Sequence, residues 1–335
     1  MFEIVKTRPG DNNFHKFVSF PREVYPADSL FFKIPESFNE EYLHAGYLLT
    51  INGKVLCRAA LYHNPHLQYL QKQACCIGNY EALDDRHAAA ELIRHIASEA
   101  KNLGAAYLIG PMNGSTWDNY RFSVHHDHPN FFLEPYHHLY YTGHFSNSGF
   151  EVIGRYYSSL ETDLAFNDPA VLQREQELRQ AGVNFRNINL DAWESELEKV
   201  FAFNATGFKT NFLYTPVSKA DFMKKYAETK RFIEPKFVVL AEDAGEALVG
   251  YFFCITDFYN QQSKALIAKT VARHPDKKWS GIGHVLGNII CGRAWAEGYQ
   301  SIIHALMYED GTSNKMSKNF SGRAYKNYVL FAKAV

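Results

Sequence analysis

The sequence predicts an α/β (α+β) protein of two similar domains, each with a mixed, largely antiparallel central sheet flanked by helices. The first observation is length, because 335 residues exceed what one hydrophobic core usually holds, about 250 to 300 residues. The second is a repeat in the order of predicted elements. The third is a glycine-bearing turn in the second half, which follows an apolar strand and opens a helix.

The first half begins the repeat with a hairpin, a strand and an amphipathic helix. Alternating and helical periodicity place the hairpin strands at 46–50 and 55–62 around Asn52-Gly53, the next strand at 73–78 and the helix at 88–103, ending at Gly104. A further apolar strand is predicted at 105–109.

The second half repeats this order. Its predicted elements are strands at 237–241 and 247–256 around Asp243-Ala244-Gly245, a strand at 265–272, a helix at 282–297 ending at Gly298, and a strand at 301–306. Gly298 follows Gly104 by 194 residues, and Gly245 follows Gly53 by 192. Each half therefore contains a strand-helix-strand unit, for which a right-handed connection is expected if its strands are parallel.

The end of each half sets the domain bounds. Ser148-Gly149-Phe150 and Ser321-Gly322-Arg323 each lead into an aromatic-rich strand, but they are only 173 residues apart. The first half therefore has about 21 extra residues, an insertion near 117–141, and long insertions are usually functional. Strand patterning stops over 163–181 and resumes at 183–190. We place the domains at 1–168 and 169–335.

Composition excludes several classes of protein. The net charge of −1 gives no field that favours nucleic acid, so a small-molecule partner is expected. Five scattered cysteines predict neither a disulfide framework nor a zinc site, and they fit a reducing cytoplasm. The N-terminus has no signal-peptide pattern, and the longest apolar stretches fall short of the roughly 20 residues that span a bilayer.

The segment from Val271 to Gly283 carries the most chemical information. Val271-Ala272-Arg273 end a strand, His274-Pro275-Asp276-Lys277-Lys278 follow, and Trp279-Ser280-Gly281-Ile282-Gly283 open a helix. Glycines in such a turn let the backbone approach a ligand, and the free N–H groups and dipole of the helix favour an anion. A pyrophosphate suits this turn, although the same pattern also describes a connection whose glycines serve packing alone.

This segment resembles the acetyl-CoA loop of the GNAT (general-control-related N-acetyltransferase) superfamily, whose pattern is Q/R-x-x-G-x-G/A. Pro275, Gly281 and Gly283 match it, and Lys278 stands where Gln or Arg is usual, which keeps the charge but loses the planar fork. The resemblance implies that the backbone over 279–283 holds the pyrophosphate of acetyl-CoA or another acyl-CoA. It also implies that 271–273 pair with the pantetheine arm.

The superfamily also has an Asn after the next strand and, six residues later, a Tyr that protonates the departing thiolate. Asn314 fits the first position and is assigned to the cofactor, but Phe320 occupies the second. Tyr308, Ser317 and Tyr325 are the candidate replacements, and water can also carry the proton. Each of the three also suits a surface or core role.

The first half lacks this loop. Its equivalent segment, 78–87, has no G-x-G and carries three acidic residues that repel a pyrophosphate. Its Gly110-Pro111-Met112-Asn113 and Pro135-Tyr136 to Tyr140-Tyr141 segments, with 256–260 of the second half, resemble a bacterial tandem-GNAT group. We predict an acceptor pocket at the junction of the halves, lined by Asn113, Asp118, Tyr136, Tyr140, Asp257 and Asn260. The alternative is that these residues shape turns, cap a helix and pack.

Histidines and cysteines do not predict a metal site or a nucleophile. His125-His126-Asp127-His128 and His137-His138 lack a helical metal-ligand spacing, and adjacent strand residues point to opposite faces. No metal is therefore expected. Cys75-Cys76 are interpreted as buried thiols.

Together these features favour an acyl-CoA-dependent N-acyltransferase that acts by direct attack of an amine on the thioester. The acceptor is expected to be a small molecule or amino-acid-like. Two alternatives stay open: a catalytically silent acyl-CoA-binding module, and an aminoacyl-tRNA-dependent transferase of the Fem type, which would need a basic face. The sequence leaves monomer and homodimer equally open.

Overall fold

A computed structural model describes residues 1–33, 36, 38–165, 168–260, 262–317, 320 and 322–335, without the side chains of Thr312 and Lys315. Its strands are β1 Phe2–Thr7, β2 Leu43–Ile51, β3 Lys54–Tyr62, β4 Gln68–Tyr69, β5 Lys72–Ala82, β6 Tyr107–Gly110, β7 Phe122–Ser123, β8 Glu151–Glu161, β9 Asn184–Asn187, β10 Val238–Glu242, β11 Leu248–Thr256, β12 Ala265–Arg273, β13 Ser301–Tyr308 and β14 Arg323–Ala334. Its α-helices are α1 Phe14–Ser19, α2 Pro21–Val24, α3 Arg86–Asn102, α4 Tyr140–Asn147, α5 Pro169–Gln180, α6 Trp193–Gly207, α7 Lys219–Ala227, α8 Ile282–Ala296 and α9 Thr312–Ser317. Short 3-10 turns occupy Leu30–Lys33, Leu190–Ala192, Glu228–Phe232, Pro235–Phe237 and Lys277–Trp279.

The predicted repeat of hairpin, strand, helix and strand is confirmed in both halves. Asn52 and Gly53 both have positive φ, 50° and 77°, as a tight two-residue hairpin turn requires. Gly104 and Gly298 follow the ends of α3 and α8 with φ of 82° and 74°, a conformation that glycine adopts without a steric penalty. No helix among the described residues has the length and hydrophobicity needed to cross a bilayer.

Twelve strands form one continuous sheet in the order β1-β2-β3-β5-β6-β14-β8-β13-β12-β11-β10-β9, with β4 beside β5 and β7 beside β14. Neighbouring strands of the sheet are antiparallel except for two parallel pairs. These are β5 with β6, which α3 connects, and β12 with β13, which α8 connects. The α3 helix covers one apolar core in the first half, and α8 covers another in the second. The predicted fold class is confirmed.

The last strand of each half lies next to a strand of the other half. The β14 strand pairs with β6 of the first half, and β8 pairs with β13 of the second, for example at Leu160 and Ile303. The two exchanged strands also pair with each other along most of their length. The division at residue 168 stays a prediction, and Phe166, Asn167 and Ser321 of the predicted end segments lie outside the described residues.

The predicted insertion connects the halves. The Trp117 indole donates to the carbonyl of Thr215 (2.9 Å), and the Phe132 amide donates to Asp257 Oδ1 (2.9 Å). Glu134 forms a fully buried ion pair with Lys326 of β14, at 2.7 Å. These contacts hold the insertion against the second half.

Candidate functional site

The site begins where β12 and β13 separate. Their parallel pairing runs only from Ala265 and Ser301 to Ala268 and His304. Beyond that point β12 pairs on one side with β11 up to Arg273, and among the described residues its other edge has no strand partner. This leaves backbone donors and acceptors over Val271–Arg273 available to an extended ligand.

The α8 helix starts beside this open edge with unengaged amides. Gly281 is its N-cap, with φ of +85° and no capping side chain. The amides of His284 and Val285 donate to the Gly281 carbonyl. Within the described part of the chain, the amides of Gly281, Ile282 and Gly283 have no acceptor, so they can bind an anion together with the helix dipole.

The turn before α8 is held from both sides. Asp276 caps its 3-10 turn by accepting from the Lys278 amide (3.0 Å), and Trp279 is buried in the core of the second half. The Lys278 ammonium lies 4.6 Å from the centre of the Trp279 ring. Trp279 therefore anchors the turn from within the core, and Lys278 remains exposed at its surface.

Arg174 of α5 fixes the carbonyl side of the same turn, a role that sequence analysis missed. Its Nε donates to the Ser280 carbonyl (2.9 Å) and its Nη2 to the Lys278 carbonyl (2.8 Å). A Cβ at Gly281 would lie 3.0 Å from Arg174 Cγ, so this close approach requires glycine. Arg174 adds a second cation beside the free amides, together with Lys278.

A cavity of about 380 Å³ opens at this place. It is lined by Asp168, Ala170, Val171, Arg174, Gly281, His284, Asn288 and Phe320. Desolvation lowers the pKa of His284, an effect that Asp168 opposes. The cavity therefore joins the start of α8 to the start of α5, and its lining combines charged, polar and apolar side chains.

The equivalent amides of the first half are already occupied. Asp85 caps α3 by accepting from the amides of His87 (2.9 Å) and Ala88 (3.0 Å). Glu81, another acidic residue of the 78–87 segment, is buried, and its carboxylate accepts hydrogen bonds from the hydroxyls of Tyr25 and Tyr141. The capping carboxylate takes the place that a phosphate would need.

In the first half, the edge of β5 that corresponds to the open edge of β12 is also occupied. The Met112 amide donates to the Ile77 carbonyl (2.9 Å), and Asn113 Oδ1 accepts from the Asn79 amide (2.9 Å). Gly78 permits this approach, because a Cβ there would lie 2.4 Å from Asn113 Oδ1. Asn113, predicted to line an acceptor pocket, thus continues the sheet beyond β6.

Ser317 is the candidate acid that lies nearest the point of separation. Its Oγ forms a 2.6 Å hydrogen bond with Nδ1 of His304, the last β13 residue paired with β12. Desolvation lowers the pKa of His304 to about 4, so its imidazole is neutral at pH 7. A neutral imidazole can accept the serine proton or donate its own, depending on the tautomer.

The other two candidate acids lie elsewhere. Tyr308 stacks on Phe212, with ring centres 5.1 Å apart, and packs against the first half. Tyr325 stacks on His128 of the insertion, and burial raises its pKa to about 12. The structure does not bring the three candidates together.

Asn314, the predicted cofactor ligand, is buried in α9. Its Nδ2 donates to the Glu309 carbonyl (2.5 Å), which ties the helix to the preceding loop. Its Oδ1 is buried and has no partner among the described residues. One half of the amide therefore remains available for a hydrogen bond.

The predicted acceptor residues lie in three places. Asp118 is at the junction of the halves, where its Oδ1 accepts from Lys225 of α7 (2.6 Å). Asp257 accepts from the amides of Phe132, Tyr259 and Asn260, and thereby shapes its own loop.

Tyr136 and Tyr140 lie in the first half. Tyr136 packs near Tyr25, and Tyr140 donates to the Ala82 carbonyl (2.7 Å). Asp118 is thus the predicted acceptor residue whose ion pair joins the first half to a helix of the second.

The histidine-rich segments and the adjacent cysteines noted in the sequence are part of the packed fold. His137 Nε2 accepts from the Ser123 amide (2.7 Å), and burial lowers its pKa to about 4. His126 stacks on Tyr136. Cys75 and Cys76 are buried, and burial raises the pKa of Cys75 to about 11, so both are protonated thiols at pH 7.

The two halves have the GNAT fold in tandem, as solved structures show. No family model and no curated protein sequence matches the chain. The comparison with solved structures therefore stands on its own.

Three structural neighbours illustrate the match. A tandem GNAT protein from the clavulanic acid biosynthesis pathway aligns over 100% of this chain and 98% of its own, with a TM-score of 0.54 and 12% identity. A probable N-acyltransferase from Enterococcus faecalis V583 gives a TM-score of 0.60 at 9% identity, over 100% and 73%. A GCN5-related glucosamine N-acetyltransferase region of a fungal multi-domain enzyme gives a TM-score of 0.58 at 11% identity. That alignment includes 99% of this chain but only 38% of the longer fungal chain.

Proposed function

We propose that the second half binds acetyl-CoA or another acyl-CoA and transfers its acyl group to an amine of a small-molecule or amino-acid-like acceptor. One observation carries the proposal: at one place, an edge of β12 and three amides at the start of α8 have no partner among the described residues. The first half closes both features with its own residues, Asn113 and Asp85. The similarity to acyltransferase folds supports the same conclusion.

The residues fit the parts of such a ligand. The amides of Gly281, Ile282 and Gly283, with Lys278 and Arg174, would hold the diphosphate. The β12 edge over 271–273 would pair with the two amide groups of the pantetheine arm. An acyl-CoA supplies an activated acyl carbon, and direct attack by the amine nitrogen forms the C–N bond while the C–S bond breaks.

The remaining chemical requirement is a route for protons. The attacking amine loses a proton, and the departing thiolate gains one. Ser317 and the neutral His304 form a hydrogen-bonded pair at the point where β12 and β13 separate. We infer that this pair passes a proton to the leaving thiolate, in preference to Tyr308 and Tyr325, which pack elsewhere.

A catalytically silent acyl-CoA-binding module is the second candidate. It is favoured by Phe320, which has no proton to donate, and by the burial of Ser317. Thiol release from acetyl-CoA over a panel of amines separates the two candidates. Release that depends on an amine supports the enzyme, whereas tight binding without release supports the module.

Calorimetric titration with coenzyme A and acetyl-CoA tests the site itself. Gly281→Ala adds a Cβ against Arg174, and Gly298→Ala at the other end of α8 is the matched control, since both glycines have positive φ. Both variants should lose about 1 kcal/mol of stability, but only Gly281→Ala should weaken binding, by about tenfold. A wild-type chain that binds neither ligand, or equal affinity in both variants, would contradict the site.

A further inference from the structure

A lysine stands out at the separation of β12 and β13. The register between β11 and β12 shifts at this point: Cys254 pairs with Ala268, but the preceding residue, Phe253, pairs with Thr270. Lys269 is therefore left unpaired in a β-bulge. Ala268, which precedes the bulge, belongs to a buried cluster, whereas Lys269 is exposed. The bulge therefore presents one cation at the start of the gap.

A second cation stands on the β13 side. Arg121 donates from Nη1 to the Leu306 carbonyl (2.7 Å), and its guanidinium lies 3.7 Å and 4.4 Å from the ring centres of Tyr120 and Tyr156. Arg121 is only 6% exposed, and its Nε has no acceptor among the described residues. The rings and the carbonyl hold the guanidinium in place without a carboxylate in a described contact.

The third cation comes from α7. Lys225 forms a 2.6 Å ion pair with Asp118, whose carboxylate also accepts from Asn39 and Ser115. The surrounding protein atoms and, to a smaller extent, the charges of Arg121 and Lys225 together lower the pKa of Lys269 to about 8, although its side chain is accessible to solvent. Arg121 binds the carbonyl of Leu306, two residues beyond the last β13 residue paired with β12, so it lies beside the gap that begins at Lys269. Lys225 reaches the same loop through Asp118, three residues before Arg121.

We propose that Lys269, Arg121 and Lys225 bind an anionic group, such as a carboxylate, on the acceptor amine. A buried or crowded cation gains most from a partner of opposite charge, and a ligand anion would supply the partner that Arg121 Nε and Lys269 lack among the described residues. A polyamine would meet like charges here and is disfavoured. The assignment to an acceptor rests on the proposed function, whereas the binding of an anion does not require coenzyme A.

Labelling with pyridoxal 5′-phosphate and with pyridoxal tests this site directly. Both aldehydes condense with an unprotonated lysine amine and release water, and borohydride fixes the adduct for peptide mass spectrometry. The phosphate reagent should modify Lys269 about tenfold faster than pyridoxal does, after each rate is divided by the rate at exposed Lys54. Lys225→Gln should bring this preference close to one, while Lys219→Gln, at the exposed start of α7, should leave it intact.

The results distinguish the two proposals. Equal normalised rates at Lys269, or a preference that Lys225→Gln leaves unchanged, would overturn the anion site even if coenzyme A binds. A preserved preference in a chain that binds no coenzyme A would overturn only the proposed function. If acyl transfer is found, amine acceptors with a carboxylate should exceed their carboxamide counterparts in kcat/KM, and Lys269→Gln should remove this difference.

Discussion

Replacing Arg174 with Gln should weaken the binding of acetyl-CoA without unfolding the chain. The change removes two charge-assisted hydrogen bonds, to the carbonyls of Ser280 and Lys278, and one positive charge beside the free amides of α8. Arg174 is partly exposed, so solvent screening reduces the loss to roughly 1 to 2 kcal/mol, or about 5- to 30-fold in Kd.

Arg179→Gln is the matched control. Arg179 lies on the same helix and pairs with Glu175, as Arg174 pairs with Glu177, but it makes no described contact with the turn. Calorimetric titration of both variants with acetyl-CoA, at one salt concentration, measures the difference. Equal Kd values for the two variants would refute the role of Arg174 in the site.

Three further predictions concern stability and protons. Glu134→Gln leaves the Lys326 ammonium buried without its charged partner and should lower the free energy of unfolding by roughly 3 to 5 kcal/mol. The control, Glu99→Gln at the partly exposed pair with Lys6, should lower it by less than about 1 kcal/mol. Urea unfolding measures both, and similar losses in the two variants would contradict the importance of the buried pair. Burial lowers the pKa of His304 from 6.5 to about 4, so protonation favours the unfolded chain and stability falls as pH drops from 6.5 toward 4. Glu81, with a pKa raised to about 7, acts in the opposite direction, so the measurement is the difference between His304→Gln and wild type: the variant should lose less Tm between pH 7 and 5, and an equal loss would contradict the assignment. Ser317→Ala should lower kcat for thiol release more than it changes KM, and a change confined to KM would exclude the proton route.

Most of the secondary structure follows from local patterns in the sequence. The strands and helices of the repeat were predictable because alternation, helical periodicity and glycine turns are properties of short segments. The positive φ values of Gly53, Gly104 and Gly298 show that these glycines are placed by backbone need. The start of α8 was predictable for the same reason.

The exchange of β8 and β14 was not predictable from the same patterns. Both strands follow a helix-and-turn segment, and both alternate aromatic residues in a way that suits either half of the sheet. The choice depends on pairing between residues about 170 apart, such as Tyr156 and Tyr328, on which local periodicity carries no information.

The contacts that complete the site are also long-range. Arg174 reaches the turn before α8 from more than 100 residues away, in a run interpreted as the junction of the domains. Lys269 did have a local signal, a single charge within an apolar strand, but its meaning depends on Arg121 and Lys225 from other elements.

Amide signals of the isotopically labelled chain, followed during a titration with coenzyme A, test the central claim most directly. The signals of Gly281, Ile282 and Gly283 should shift on saturation, while those of His87 and Ala88, already bonded to Asp85, should stay in place. Binding that leaves the three α8 amides unshifted, or that shifts the α3 amides instead, would contradict the account.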